Sequence, residues 1–165
     1  MNREQLLKKI IVQAGKKTLK YFGKKLTKNI KTHDADFATI ADSESNDFLI
    51  SEITKNFPDD GILSEESTNR KGKSGYLWVI DPLDGTYNFS HNIVYFGVMI
   101  ALIKNNYVIA PGIYLPYFND LYFAIKGKGS FKNNKRIYCS NKKRFISCND
   151  RWKHNSFWKV QNAKS

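Results

Sequence analysis

Two aspartates, Asp81 and Asp84, stand three positions apart at the end of a short apolar run, Leu77-Trp78-Val79-Ile80. Pro82 bends the chain between them, and Gly85 admits a tight turn or close approach of backbone to a ligand. Thr86 follows where a helix can begin, so the N–H groups of Gly85 and Thr86 are candidates for holding an anion. Carboxylate oxygens on stiff backbone suit Mg²⁺, which takes carboxylates plus substrate phosphate rather than a closed protein cage. On its own, Asp-x-x-Asp-Gly-Thr reads equally well as a helix cap beside a turn aspartate. Two further acidic clusters lie upstream. Ser64-Glu65-Glu66-Ser67 follows another short apolar run, and Asp42 closes the stretch Asp36-Phe37-Ala38-Thr39-Ile40-Ala41-Asp42. Taken singly, Glu65 and Glu66 read as solvated charges and Asp42 as a helix N-cap.

In this order the three clusters resemble the inositol monophosphatase family of metal-dependent phosphatases. Its signatures are an upstream Thr-x-(Ala/Thr)-Asp, a Gly-Glu-Glu segment and Asp-Pro-(Ile/Leu)-Asp-Gly-Thr-x-Asn-Phe, which Asp81 to Phe89 match position by position. Gly112-Ile113-Tyr114 and Lys126-Gly127-Lys128-Gly129-Ser130-Phe131 are similar to the family's strand and Lys-Gly-x-Gly turn, so the resemblance runs to about Ser140. The resemblance implies that Glu65, Asp81 and the Leu83 carbonyl bind a first Mg²⁺, and Asp81 and Asp84 a second. It implies that Thr86, linked to Asp42, orients and helps deprotonate the attacking water, while the Gly85 and Thr86 N–H groups hold the phosphate. Glu65, Leu83 and Asp84 would then border the substrate. The implied reaction is hydrolysis of inositol-1-phosphate or a similar small polyol phosphate, and no histidine or cysteine nucleophile is needed. Asn88-Phe89 favours the inositol phosphatase branch.

Two departures accompany the match. Ser64 stands where the family has glycine, which would be strained if that backbone needed positive φ. The family's second half carries Trp-Asp-x-Ala-Ala-Gly, and nothing here corresponds: Trp152 precedes Lys153, and Trp158 precedes Lys159. The expectation is a C-terminally truncated member that lacks one metal-site carboxylate, binds Mg²⁺ weakly and turns over poorly or not at all. The alternatives are a non-catalytic RNA- or protein-binding relative, since bacterial members of the family engage the transcription machinery, or an inert gene fragment.

The elements that must position these residues follow from periodicity. Leu6, Leu7, Ile10, Ile11 and Ala14 recur at helical spacing, which predicts a helix from Asn2 to Phe22. A second helix is predicted from Ser43 to Asn56, closed by Phe57-Pro58, with Asp59-Asp60-Gly61 as a turn. Ile62 to Ser64 reads as a short strand, 69–75 as a polar loop, and the run from Leu77 as a buried strand. A meander follows, with strands over 98–103, 107–114, 121–125 and 136–139 and turns at Asn105-Asn106, 116–120 and Asn133-Asn134. The fold class is α+β: the N-terminal half of the layered α/β sugar-phosphatase fold, two helices on a largely antiparallel sheet. Residues 1–140 form the metal-site domain, and 141–165 read as a weakly structured tail.

Composition narrows the classes. The chain of 165 residues is 41% hydrophobic and 14% aromatic, which excludes intrinsic disorder and leaves material for one core. Cys139 and Cys148 are too few for a disulfide framework. No apolar run approaches the ~20 residues of a membrane span, and the start lacks a signal-peptide pattern, so a cytoplasmic protein with no membrane partner is expected. The net charge of +12 divides into +9 over residues 1–33, −8 over 34–84 and +11 over 85–165. Twelve of the fifteen acids therefore fall in the segment bearing the motifs, and the lysines elsewhere read as background rather than a nucleic-acid footprint. A homodimer is left open, and His33, His91 and His154 read as surface residues.

Overall fold

A computed structural model describes residues 1–24, 40–67 and 69–140. Helix α1, Arg3–Leu19, starts from a capping box: the Asn2 side chain accepts from the Gln5 N–H at 2.8 Å, and the Gln5 side chain accepts from the Asn2 N–H at 3.0 Å. Leu6, Leu7, Ile10, Ile11 and Ala14 are fully buried. Gly15 lets the helix approach the sheet, because a Cβ there would lie 2.4 Å from the Tyr114 ring. Helix α2, Ile40–Asn56, buries Leu49 and Ile53 beside α1. It begins three residues earlier than the sequence predicts, so Asp42 lies in its first turn rather than at its N-cap. The cause is tertiary: Ala41 is buried in a second apolar cluster with Leu83, Phe89 and Phe96.

Seven strands form one sheet whose spatial order equals chain order: β1 Gly61–Ser64, β2 Tyr76–Asp84, β3 Gly97–Lys104, β4 Tyr107–Leu115, β5 Asp120–Ile125, β6 Gly129–Lys132 and β7 Lys135–Ile137. β1 and β2 pair in parallel, and every later neighbour pairs antiparallel. The predicted meander is present. Its β3–β4 and β6–β7 hairpins turn on Asn105-Asn106 and Asn133-Asn134, all at positive φ as two-residue hairpin loops demand. β2 is longer than predicted because β3 goes on pairing with it as far as Gly97 opposite Asp84. A five-residue helix, α3 Thr86–Ser90, adds a third helix to the two expected, and α1 stops at Leu19 rather than Phe22. His33, Cys148, His154 and the tail over 141–165 lie outside the described residues.

Both long helices pack on one face of the sheet, against Trp78, Ile80, Val98, Ile100, Leu102 and Tyr114. The opposite face presents Leu63, Val79, Met99, Ala101, Pro111 and Ile113 along an open groove of about 480 Å³. No described helix is long and apolar enough to cross a membrane.

The start of β1 is fastened by Asp60, which sequence reading leaves as a turn residue. Its carboxylate is completely buried and accepts from Arg3 Nε and Nη2, both at 2.8 Å, from Trp78 Nε1 at 2.8 Å and from Ser74 Oγ at 2.6 Å. Burial by itself would raise the Asp60 pKa, but these hydrogen bonds and the Arg3 charge outweigh it and hold the group below the ordinary carboxylate range.

A carboxylate with a depressed folded-state pKa contributes stability above its unfolded value, and that stability is lost as pH falls through the folded value. Asp60→Asn should therefore cost about 3 kcal/mol at pH 7, with the gap to wild type closing towards pH 3; urea melts giving a pH-independent gap would refute this. On the sheet, Ile113→Thr on the open face should cost less than about 0.5 kcal/mol. Ile100→Thr on the helix face should cost about 2–3 kcal/mol, and equal losses in thermal melts would contradict the one-sided core.

Candidate active site

The parallel pairing of β1 with β2 decides the site. Ser64 stands opposite Ile80, and the Glu65 N–H continues the ladder to the Ile80 carbonyl at 3.3 Å. Glu65 and Asp81 thus leave neighbouring strand ends side by side, on the same open face as Leu63 and Val79, and both line the groove. Immediately beyond, β2 bulges: Asp81 pairs with Met99 and Asp84 with Gly97, leaving one extra residue on β2. Pro82 has no N–H to give the ladder, and the Asp81 carboxylate accepts instead from the Leu83 N–H at 3.1 Å. The bulge buries Leu83 and turns Asp84 out to solvent.

Gly85 follows at φ 80°, where a Cβ would also approach the Tyr95 carbonyl to 3.1 Å, so this position needs glycine on two counts. It leads into α3 at Thr86, whose hydroxyl donates to the Leu83 carbonyl at 3.1 Å. Asn88 holds the following loop by donating to the Tyr95 carbonyl at 2.7 Å. Ser64 lies in β1 without positive φ, so the strain considered for a serine in place of glycine does not arise.

The electrostatics are those of crowded carboxylates. Burial raises the Asp42 pKa to about 7, with further repulsion from Glu66, Asp81 and Glu65. Burial likewise raises Asp81 to about 6, together with repulsion from Glu65 and Asp84, against the opposing Leu83 N–H bond. Repulsion thus links Asp42 with Glu65, Glu66 and Asp81, and Asp81 in turn with Glu65, Glu66 and Asp84. Among the described residues no three Asp, Glu, His or Cys side chains close into a cage around an ion. Carboxylates and a backbone carbonyl, with Glu65 and Asp81 open to the groove, nevertheless make a donor set that fits a hard divalent cation that keeps waters and takes few protein ligands. His91 is exposed and stacks on Tyr87.

Sequence reading missed two residues behind the site, Ser45 and Asn46, and underrated Ser64. Ser45 donates to the Pro82 carbonyl at 2.9 Å, and Ser64 donates to Asn46 Oδ1 at 2.6 Å. Asp42, Ser45, Asn46, Leu49 and Ile53 lie at i, i+3, i+4, i+7 and i+11, and all five are buried. Extending the apolar stripe of α2 back through its polar positions would have found them.

A helix-backed sheet of this kind has relatives among known proteins. The inositol monophosphatase family model matches residues 2–161, and the chain belongs to that family. A fructose-1,6-bisphosphatase/inositol-1-monophosphatase of Aquifex aeolicus is 40% identical over 131 residues, 78% of this chain and 50% of the relative. A histidinol-phosphatase of Chlorobaculum parvum is 35% identical over 136 residues, 82% of this chain and 52% of the relative. The crystal structure of the extragenic suppressor protein suhB from Bartonella henselae superposes with a TM-score of 0.77 at 32% identity, covering 85% of this chain and 55% of that one. The chain spans about half the length of the curated relatives it matches.

The raised Asp81 pKa carries a stability consequence. A carboxylate whose folded-state pKa is raised favours the fold when protonated and loses that advantage as pH rises through the folded value. Asp81→Asn keeps the acceptor for Leu83 N–H and removes the charge. Without metal, at pH 8, it should be more stable than wild type by about 1 kcal/mol after allowance for solvent screening. A variant that melts below wild type at pH 8 without metal would contradict the crowding of this site.

Proposed function

We propose that this chain carries the metal-binding half of a Mg²⁺-dependent phosphomonoester hydrolase acting on inositol-1-phosphate or a similar small polyol phosphate. The observation that carries the reading is the delivery of Glu65 and Asp81 by adjacent parallel strands into one groove, with Asp84 coupled to Asp81 across the bulge. Membership of a family whose similar members include phosphatases supports the same class. Glu65, Asp81, Asp84 and the Leu83 carbonyl would hold Mg²⁺. Bound there, the ion would make water a better nucleophile and offset the phosphate charge.

The protein's own groups do the rest. The Gly85 and Thr86 N–H groups, at the entry to α3, orient the phosphate. The Thr86 hydroxyl, which donates to the Leu83 carbonyl in this structure, would turn to pass its proton to the Asp42 carboxylate as it takes one from the attacking water. A raised Asp42 pKa suits a group that takes part in proton transfer near neutral pH. The groove floor of Leu63, Val79 and Met99 is apolar, and it favours exclusion of bulk water once the face is covered.

The test is phosphate release from inositol-1-phosphate by the purified chain as Mg²⁺ is titrated. We expect slow release, about 10²–10³ below full-length relatives, that requires Mg²⁺ and disappears in Asp81→Asn and Glu65→Gln. Release that persists in a chelator, or that survives both substitutions, would overturn the reading. So would a chain that neither binds Mg²⁺ nor releases phosphate but binds RNA with a steep salt dependence.

A further inference from the structure

Glu65 and Asp81 repel each other, and the ladder that joins their strands stops beside them. Its last rung is the 3.3 Å bond from Glu65 N–H to the Ile80 carbonyl, and Pro82 cannot extend it. Beyond that rung, helix α2 takes over. Its consecutive residues Ser45 and Asn46 reach one to each chain segment that bears a carboxylate. Ser45 Oγ donates to the Pro82 carbonyl at 2.9 Å, within the bulge between Asp81 and Asp84. Asn46 Oδ1 accepts from Ser64 Oγ at 2.6 Å, immediately before Glu65, and the same Ser64 oxygen accepts from the Glu66 N–H at 3.3 Å. The three side chains are 0%, 4% and 6% exposed, so each bond is made away from water, where leaving it unmade is costly.

We propose that Ser45, Asn46 and Ser64 are positioning residues that clamp the β1 and β2 ends to α2 and set the distance of Glu65 from Asp81 for one divalent cation. The proposal rests on the metal-site reading above.

Calorimetric Mg²⁺ titration of Ser64→Ala, Asn46→Ala and their double variant tests it, beside Ile53→Val as a control that loosens the same helix in the core. Each clamp variant should lose about tenfold in Mg²⁺ affinity, as outer-shell substitutions commonly do, and the double variant no more than Ser64→Ala alone, because that substitution already breaks the bond Asn46 makes. Ile53→Val should melt earlier yet bind Mg²⁺ as wild type does. A metal-free readout runs in parallel. Amide exchange at Glu66 should be about tenfold faster in Ser64→Ala, with the Leu49 and Ile53 amides unchanged. Ser64→Ala alone carries the test if Asn46→Ala fails to fold. Additive losses, an affinity that follows the melting temperature through Ile53→Val, or unchanged exchange at Glu66 would overturn the clamp. A wild type that binds no Mg²⁺ would overturn the metal-site reading instead, and the exchange comparison would still decide whether the clamp exists.

Discussion

One parallel pair in an otherwise antiparallel sheet governs this molecule. Antiparallel neighbours send successive strand ends to opposite edges, whereas a parallel pair sends both C-terminal ends to one edge. Because β1 and β2 are parallel, Glu65 and Asp81 emerge together although sixteen positions separate them. Register matters as much as direction. With Ser64 opposite Ile80, the alternation of a strand puts Ser64 on the helix side and Glu65 on the groove side. A slip of one residue would turn Glu65 into the core and Ser64 out to solvent.

That arrangement is costly, and two buried polar systems offset the cost. At the start of β1, Asp60 gathers Arg3 from α1, Ser74 from the loop and Trp78 from β2, tying the parallel pair to the first helix. At its end, Ser45 and Asn46 tie the same two strands to the second helix. Between these ties the acidic groups are crowded, and burial with mutual repulsion moves Asp42 and Asp81 towards neutral pH. The crowded carboxylates thus lie between two sets of buried hydrogen bonds, one at each end of the strand pair that carries them.

The two faces of the sheet have different fates. One is sealed by α1 and α2 around Trp78, Ile100 and Tyr114. The other displays Leu63 and Ile113, each about two-fifths exposed, along a groove that runs up to the carboxylates. The chain spans about half the length of the relatives it matches.

Local chemistry alone determined much of this. The capping box at Asn2, the buried stripe of α1, the Asn-Asn hairpins, the strand order of the meander and the glycine after Asp84 are each decided by residues within a few positions of one another. The acidic motif was legible for the same reason, since Pro82, Gly85 and Thr86 shape the backbone around Asp81 and Asp84. Tertiary structure decided what depends on distant partners. It drew the start of α2 back to Ile40 by burying Ala41 against Leu83, Phe89 and Phe96. It carried β2 on to Asp84 because β3 was there to pair with it, and it made Asp60 a buried hub. It also turned Ser45, Asn46 and Ser64 from ordinary polar residues into struts. A serine or aspartate has the same local preferences in a solvated turn as in a core, and only the arrival of Arg3, Trp78 or a carbonyl from another element determines which it becomes.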